Sequence, residues 1–224
     1  MKLNSMVLSL AISAATAAAA QATTLTGNLT ADNAFYAYLS TSPTSLGTLV
    51  GSGNAWYTNY SLTPTALTPG TTYYLNIEAI NYGGPGGFSA VLNLSDAGFS
   101  FANGGQTLTT DPVNLSAWSG SYNNANSAVT PQAWVQPTGS VLQATSYGWG
   151  GVVGTSNWIW PSDSSSSPGG SAGPCGYCTV DFSVAITSVA AVPELSTWGM
   201  IILGFAGVGL AASRRKSMPA LTAA

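Results

Sequence analysis

Three stretches of this 224-residue chain alternate apolar and polar positions one by one. Over Thr72–Ile80, Tyr73, Leu75, Ile77 and Ala79 fall on one side, and Tyr74, Asn76 and Glu78 on the other. Phe88, Ala90, Leu92 and Leu94 repeat the pattern, as do Val180, Phe182, Val184 and Ile186. A period of two marks a strand with one face on a core and the other turned outward, as in antiparallel sheets. Ala34–Leu39 is aromatic-rich and reads as a further strand after the turn pair Asp32-Asn33. Leu46–Val50 and Ala55–Leu62 read as short strands around a turn at Gly51-Ser52-Gly53-Asn54. Thr68-Pro69-Gly70 reads as a turn, and Asn81–Gly87 and the Ser/Gly/Pro-rich Ser162–Gly173 as loops. No helical period stands out between the two ends of the chain. The pattern predicts an all-β sandwich over residues 23–187.

The two ends follow a different rule. Lys2, the apolar stretch Met6–Ala20 and the Ala20-Gln21-Ala22 site make residues 1–22 a secretory signal peptide, cut between Ala22 and Thr23 by signal peptidase. An uncleaved anchor is the competing reading; the Ala-rich composition and the cleavage site oppose it. At the other end Trp198–Ala212 carries no charge, and Arg214, Arg215 and Lys216 follow. As a helix that run spans roughly 22 Å, short of the ~30 Å hydrocarbon core. Spanning then requires local thinning or help from the flanks. Runs of this length are often buried core helices, but the terminal position and the cations behind it favour a membrane segment. The expectation is a transmembrane helix over 198–212 with a basic cytoplasmic tail over 213–224. Residues 188–197 are the tether in front of it.

Val192-Pro193-Glu194, Ser196 and Trp198, then the apolar run, then Arg214-Arg215-Lys216, resemble the PEP-CTERM sorting signal of Gram-negative bacteria. Leu195 stands where the usual motif has a second proline. The resemblance covers roughly the last thirty residues. It implies export across the inner membrane, transient anchoring, and processing near Pro193-Glu194 by an exosortase, a membrane-embedded transpeptidase-like enzyme. It also implies a place at the cell surface or in an exopolysaccharide or biofilm matrix. Pro193 keeps the motif extended and stops a helix from growing upstream.

Charge then narrows the chemistry. Lys2, Arg214, Arg215 and Lys216 are the only cations, and the chain has no His. Between the two signals lie Asp32, Glu78, Asp96, Asp111, Asp163 and Asp181, with nothing to offset them. Nucleic-acid binding lacks the cations it needs. Triad hydrolysis, His-metal catalysis and Lys Schiff-base chemistry lack their residues. A carboxylate pair of glycosidase type, or a Ca²⁺ site of Asp, Asn and carbonyl oxygens, remains possible.

Asp32-Asn33-Ala34-Phe35-Tyr36-Ala37-Tyr38, Gly51–Trp56, Thr68-Pro69-Gly70, Leu75–Ala79 and Gly83–Phe88 resemble part of the galactose-binding-domain-like jelly roll. That resemblance covers about half of the region between the signals. It departs at Leu39-Ser40-Thr41, where the usual hairpin residues are missing. It implies an antiparallel jelly-roll sandwich and says little of a ligand.

Cys175-Gly176-Tyr177-Cys178, in an exported chain with no other cysteine, reads as a local disulfide. Zinc would need further ligands. Trp56 and Trp118 stand beside turn residues and are candidates for stacking on glycan; core packing is the competing reading for any Trp. Trp158 and Trp160 share a strand face and suit a core equally well. Asp32 with Asn33, and Asp96, are candidate Ca²⁺ ligands, although turn carboxylates usually bond backbone amides. No other cofactor is implied. The function expected is a non-enzymatic exosortase substrate, carbohydrate-binding or structural. The alternative is a carbohydrate-active enzyme using two of Asp96, Asp111 and Asp163.

Overall fold

The computed structural model describes residues 22–124, 133–143, 153–154, 156–161, 178–189 and 195–215. The strands are β1 (Thr24–Asp32), β2 (Ala34–Ser40), β3 (Thr48–Gly53), β4 (Tyr60–Ser61), β5 (Thr65–Ala66), β6 (Tyr73–Asn81) and β7 (Gly87–Leu94). They continue with β8 (Phe99–Phe101), β9 (Thr107–Thr109), β10 (Ser119–Asn124), β11 (Val141–Gln143), β12 (Ile159–Pro161) and β13 (Cys178–Ser188). A short 3-10 helix, Pro112–Ala117, precedes β10, and α1 (Leu195–Arg215) closes the series.

All pairings are antiparallel, and the strands form two sheets. The first runs β11-β12-β7-β1-β4, with β5 on β1 and β9 on β7. The second runs β10-β13-β6-β2-β3, with β8 on β13. The corner Asp32–Asn33 carries the chain from one sheet to the other, held by the Asn33 N–H donating to the Ile80 carbonyl at 2.7 Å.

The expected alternation is borne out where apolar side chains set it. Leu75, Ile77 and Ala79, then Phe88, Ala90 and Leu92, then Val180, Phe182, Val184 and Ile186 are all buried in one core between the sheets. Phe88 stacks on Phe182 with ring centroids 5.0 Å apart, joining the two sheets at their centre.

Three expectations change. Thr24–Asp32, not singled out in the sequence, is a central strand that pairs with β7 from Leu25–Leu94 to Asp32–Gly87. Gly51-Ser52-Gly53, read as a turn, is the second half of β3, and only Tyr60 and Ser61 of Ala55–Leu62 are strand. A side chain at Gly51 would meet Leu62 Cδ2 at 2.8 Å, and one at Gly53 would meet the Phe35 ring at 2.6 Å. The glycines therefore leave room for β4 to close over the core. Finally, a helix does form over the expected C-terminal run, but it begins at Leu195. Its described side chains over residues 200–209 are exposed. Among the described residues no helix is long and apolar enough to cross a membrane. The signal-peptide helix lies outside the described residues apart from Ala22.

Candidate functional site

The edge strand β3 is flanked by two open clefts. One, of about 320 Å³, is lined by Tyr36, Ser52, Gly53, Asn54 and Tyr60. The Tyr60 hydroxyl donates to Asn54 Oδ1 at 3.1 Å and accepts from the Asn54 N–H at 3.3 Å. These bonds close the loop between β3 and β4. On that loop Trp56 and Tyr57 pack edge to face, with centroids 5.6 Å apart. Tyr57 is 69 % exposed. The Thr30 hydroxyl holds the loop down by donating to the Trp56 carbonyl at 2.9 Å.

The second cleft, of about 550 Å³, lies at the other end of β3. Its polar lining is hydroxyl: Ser40, Thr41, Ser45, Thr48, Thr63 and Thr65, beside Leu39, Leu49 and Tyr73. Neither cleft has a charged side chain in its lining. Hydroxyls, an amide and aromatic faces are the groups that hydrogen-bond and stack with uncharged polyols.

The sequence candidates divide. Trp56 is half-buried on the loop just described. Trp118 is corrected: it is 2 % exposed, edge to face against Phe88 at 5.5 Å, with its Nε1–H donating to the Thr109 carbonyl at 3.2 Å. The 3-10 turn begun at Pro112 swings it into the core instead of leaving it on a surface turn. Trp158 and Trp160 are buried as well, and Trp160 packs on Phe182 at 5.9 Å.

Asp32 and Asn33 do not form an open calcium loop. Asn33 Oδ1 is taken by the Tyr82 N–H at 2.6 Å. Asp32 is buried, and burial pushes its carboxyl up to about 6. Asp96 accepts from the Thr23 hydroxyl at 2.5 Å, the Gly98 N–H at 2.8 Å and the Ser95 hydroxyl at 3.0 Å. The Thr23 hydroxyl bond, then that of Gly98, holds it below the usual carboxylate range. Asp111 accepts from the Asn157 amide at 2.9 Å and the Thr109 hydroxyl at 2.7 Å. Asp96 thus ties its turn to Thr23 and Asp111 ties its turn to Asn157, and Asp163 lies outside the described residues. Among the described residues no three His, Cys, Asp or Glu side chains gather to hold a metal ion.

The acidic groups that do face each other were not singled out by sequence. Asp181 on β13 is the register partner of Glu78 on β6, on the outer face of the second sheet. Both are buried, because a cover lies over that face. Residues 133–140 form one part of it: the Val135 N–H donates to Asp181 Oδ2 at 3.3 Å, the Trp134 Nε1–H to the Pro43 carbonyl at 3.0 Å, and the Thr138 and Gly139 N–H groups to Ser121 Oγ at 3.1 Å. The loop after β2 forms the other part, its Ser45 carbonyl accepting from Asn76 Nδ2 at 2.9 Å. Burial, more than the Glu78 carboxylate opposite, pushes Asp181 up to about 8. Burial and that same carboxylate push the Tyr38 phenol, hydrogen-bonded to Glu78, up to about 12.

At the chain ends, Thr23 is already built into the fold: it is buried and its carbonyl accepts from the Leu67 N–H at 2.7 Å, whereas Ala22 is exposed. Cys178 is disulfide-bonded. The only other cysteine, Cys175, lies outside the described residues, as do Val192, Pro193, Glu194 and Lys216. Ser196, Arg214 and Arg215 fall within α1. Comparison with known proteins finds no matching family model, no matching curated protein and no matching solved structure.

Proposed function

We propose that this chain is an exported, surface-held sandwich that binds an uncharged polysaccharide along its β3 edge, without catalysis. The observation that carries the reading is the pair of charge-free clefts at the two ends of β3, one beside the Trp56–Tyr57 pair. Six residues of strand extend about 20 Å, so the two clefts can serve one extended glycan. No cation lies between residues 23 and 191, which disfavours acidic polymers and favours neutral ones.

Delivery follows from the two ends. Cleavage before Thr23 would release a residue that the fold holds tightly and remove one that it leaves exposed. At the other end, α1 has twenty-one residues, a helix of about 31 Å. Its exposed Ile201, Ile202, Leu203, Phe205 and Val208 need an apolar partner. We read it as a transient membrane anchor, aided by the flanks because its apolar part is short. Arg214 and Arg215 lie at the cytoplasmic end, and exosortase cuts upstream near Pro193-Glu194. The passage of the chain back and forth between the sheets fits the jelly-roll wrapping of galactose-binding-like domains.

The test is co-sedimentation of the full chain with neutral, acidic and basic polysaccharides. Retention by neutral polymers alone is the expected result. Retention by none, or by the basic polymer alone, would reject the reading.

A further inference from the structure

Across the outer face of the second sheet, one row of register partners reads Tyr36, Glu78, Asp181, Ser121. Side chains of direct partners start only ~4.5–5.5 Å apart at Cβ. Thr179 stands two residues before Asp181 and so on the same face of β13. It is fully buried, and its Oγ1 has no hydrogen-bond partner; the same is true of Asp181 Oδ1. Asp181 Oδ2, by contrast, is engaged by the Val135 N–H of the cover. Glu78 is hydrogen-bonded to the Tyr38 phenol and Asp181 to the Asn123 side chain, yet Thr179 Oγ1 and Asp181 Oδ1 on the buried outer face stay unpartnered, and no protein cation lies between residues 23 and 191 to offset the two carboxylates.

Buried carboxylates are held by a counter-ion, by hydrogen bonds or by a proton. Every side-chain donor named here is oxygen. Zinc and copper prefer nitrogen or sulfur, and magnesium keeps its waters and demands octahedral geometry. Calcium accepts six to eight oxygens in flexible arrangements. We propose that Glu78, Asp181 Oδ1 and Thr179 Oγ1 bind one calcium ion beneath the 133–140 cover. The ion would cancel the charge of the pair and fill the valence of both unpartnered oxygens. Because Asp181 also holds Val135, it would fasten the cover, and Trp134 with it, to the sheet. The site is independent of the glycan reading: failure here leaves that reading intact.

The test uses the full chain in mild detergent, stripped with EDTA and titrated with CaCl2 at pH 7.5. Calorimetry should show one site per chain. The melting temperature should rise by about 5–10 °C at a hundredfold excess over Kd. Glu78→Gln and Asp181→Asn should abolish the rise, whereas Asp32→Asn and Asp96→Asn should keep it. If either buried variant fails to fold, Thr179→Val decides: it loses one ligand oxygen without a change of shape and should weaken calcium binding several-fold. Terbium in the same site should show luminescence sensitised by the nearby aromatic rings and quenched by added calcium. No heat and no thermal shift in the wild type would overturn the proposal, and would mean that a proton holds the pair. A shift that survives both Asp181→Asn and Thr179→Val, or saturation by magnesium but not by calcium, would overturn it equally.

Discussion

Without metal, the carboxyl of Asp181 should make this protein lose stability as the pH rises. Its ordinary value is 3.8, and burial raises it in the fold to about 8. The groups facing it are the Glu78 carboxyl, the Ser121 hydroxyl, the Val135 N–H and the Asn123 side chain, with no cation among them. The folded chain therefore keeps a proton that the unfolded chain has released. The stability from that proton is full below the unfolded value and is lost progressively as the pH climbs toward 8. At about 1.4 kcal/mol per pH unit, the interval from pH 5 to pH 8 corresponds to roughly 4 kcal/mol. This is a large part of the stability of an ordinary domain. Asp32, raised to about 6, acts in the same direction over a lower window. Asp96, held low, acts in the opposite direction, its share being lost only as the pH falls into the acid range. The assay is thermal unfolding in EDTA from pH 5 to 9, followed by near-ultraviolet circular dichroism. The melting temperature should fall by about 8–16 °C, and Asp181→Asn should remove most of that slope. A melting temperature that is flat or rising over this range would refute the reasoning, because it would mean that the pair is ionised and satisfied without a metal.

Two further outcomes follow from the packing. Trp118→Ala should cost about 3–5 kcal/mol in denaturant unfolding, since it empties a core site against Phe88; Trp56→Ala should cost much less, because it leaves the core untouched. Reduction of the Cys178 disulfide should lower stability by about 2 kcal/mol or less by the same assay, since the loop it closes with the only other cysteine is very short.

The core was legible in the sequence because its signal is local. In Tyr73–Asn81 and Cys178–Ser188 the side chains alternate: Leu75, Ile77 and Ala79, then Val180, Phe182, Val184 and Ile186, face inward, while Ile80 packs with Ala34 and Tyr36 on the outer face. The same alternation put Glu78 and Asp181 on the outer face, where polar residues normally meet water. What buries them is the loop after β2 together with residues 133–140, a stretch whose Pro and Gly give no periodic signal and whose bonds to Pro43 and Asp181 span long separations in the chain. The same holds for Trp118. Its neighbours in sequence suggested a surface turn, but its partner Phe88 is thirty residues away along the chain. At β3 the error was one of meaning: glycines read as a turn are the clearance that the Tyr60 and Leu62 side chains require. Two acidic residues on strands, in a region without a single cation, call for some other partner.

The most direct test of the proposed function is a fluorescence titration of the full chain with a neutral polysaccharide that it retains in co-sedimentation. The wild type should show a saturable change in tryptophan emission. The double variant Trp56→Ala/Tyr57→Ala should lose at least tenfold in affinity, or about 1.4 kcal/mol, with its melting temperature nearly unchanged. Equal affinity in the wild type and the double variant would contradict the placement of the glycan on the β3 edge.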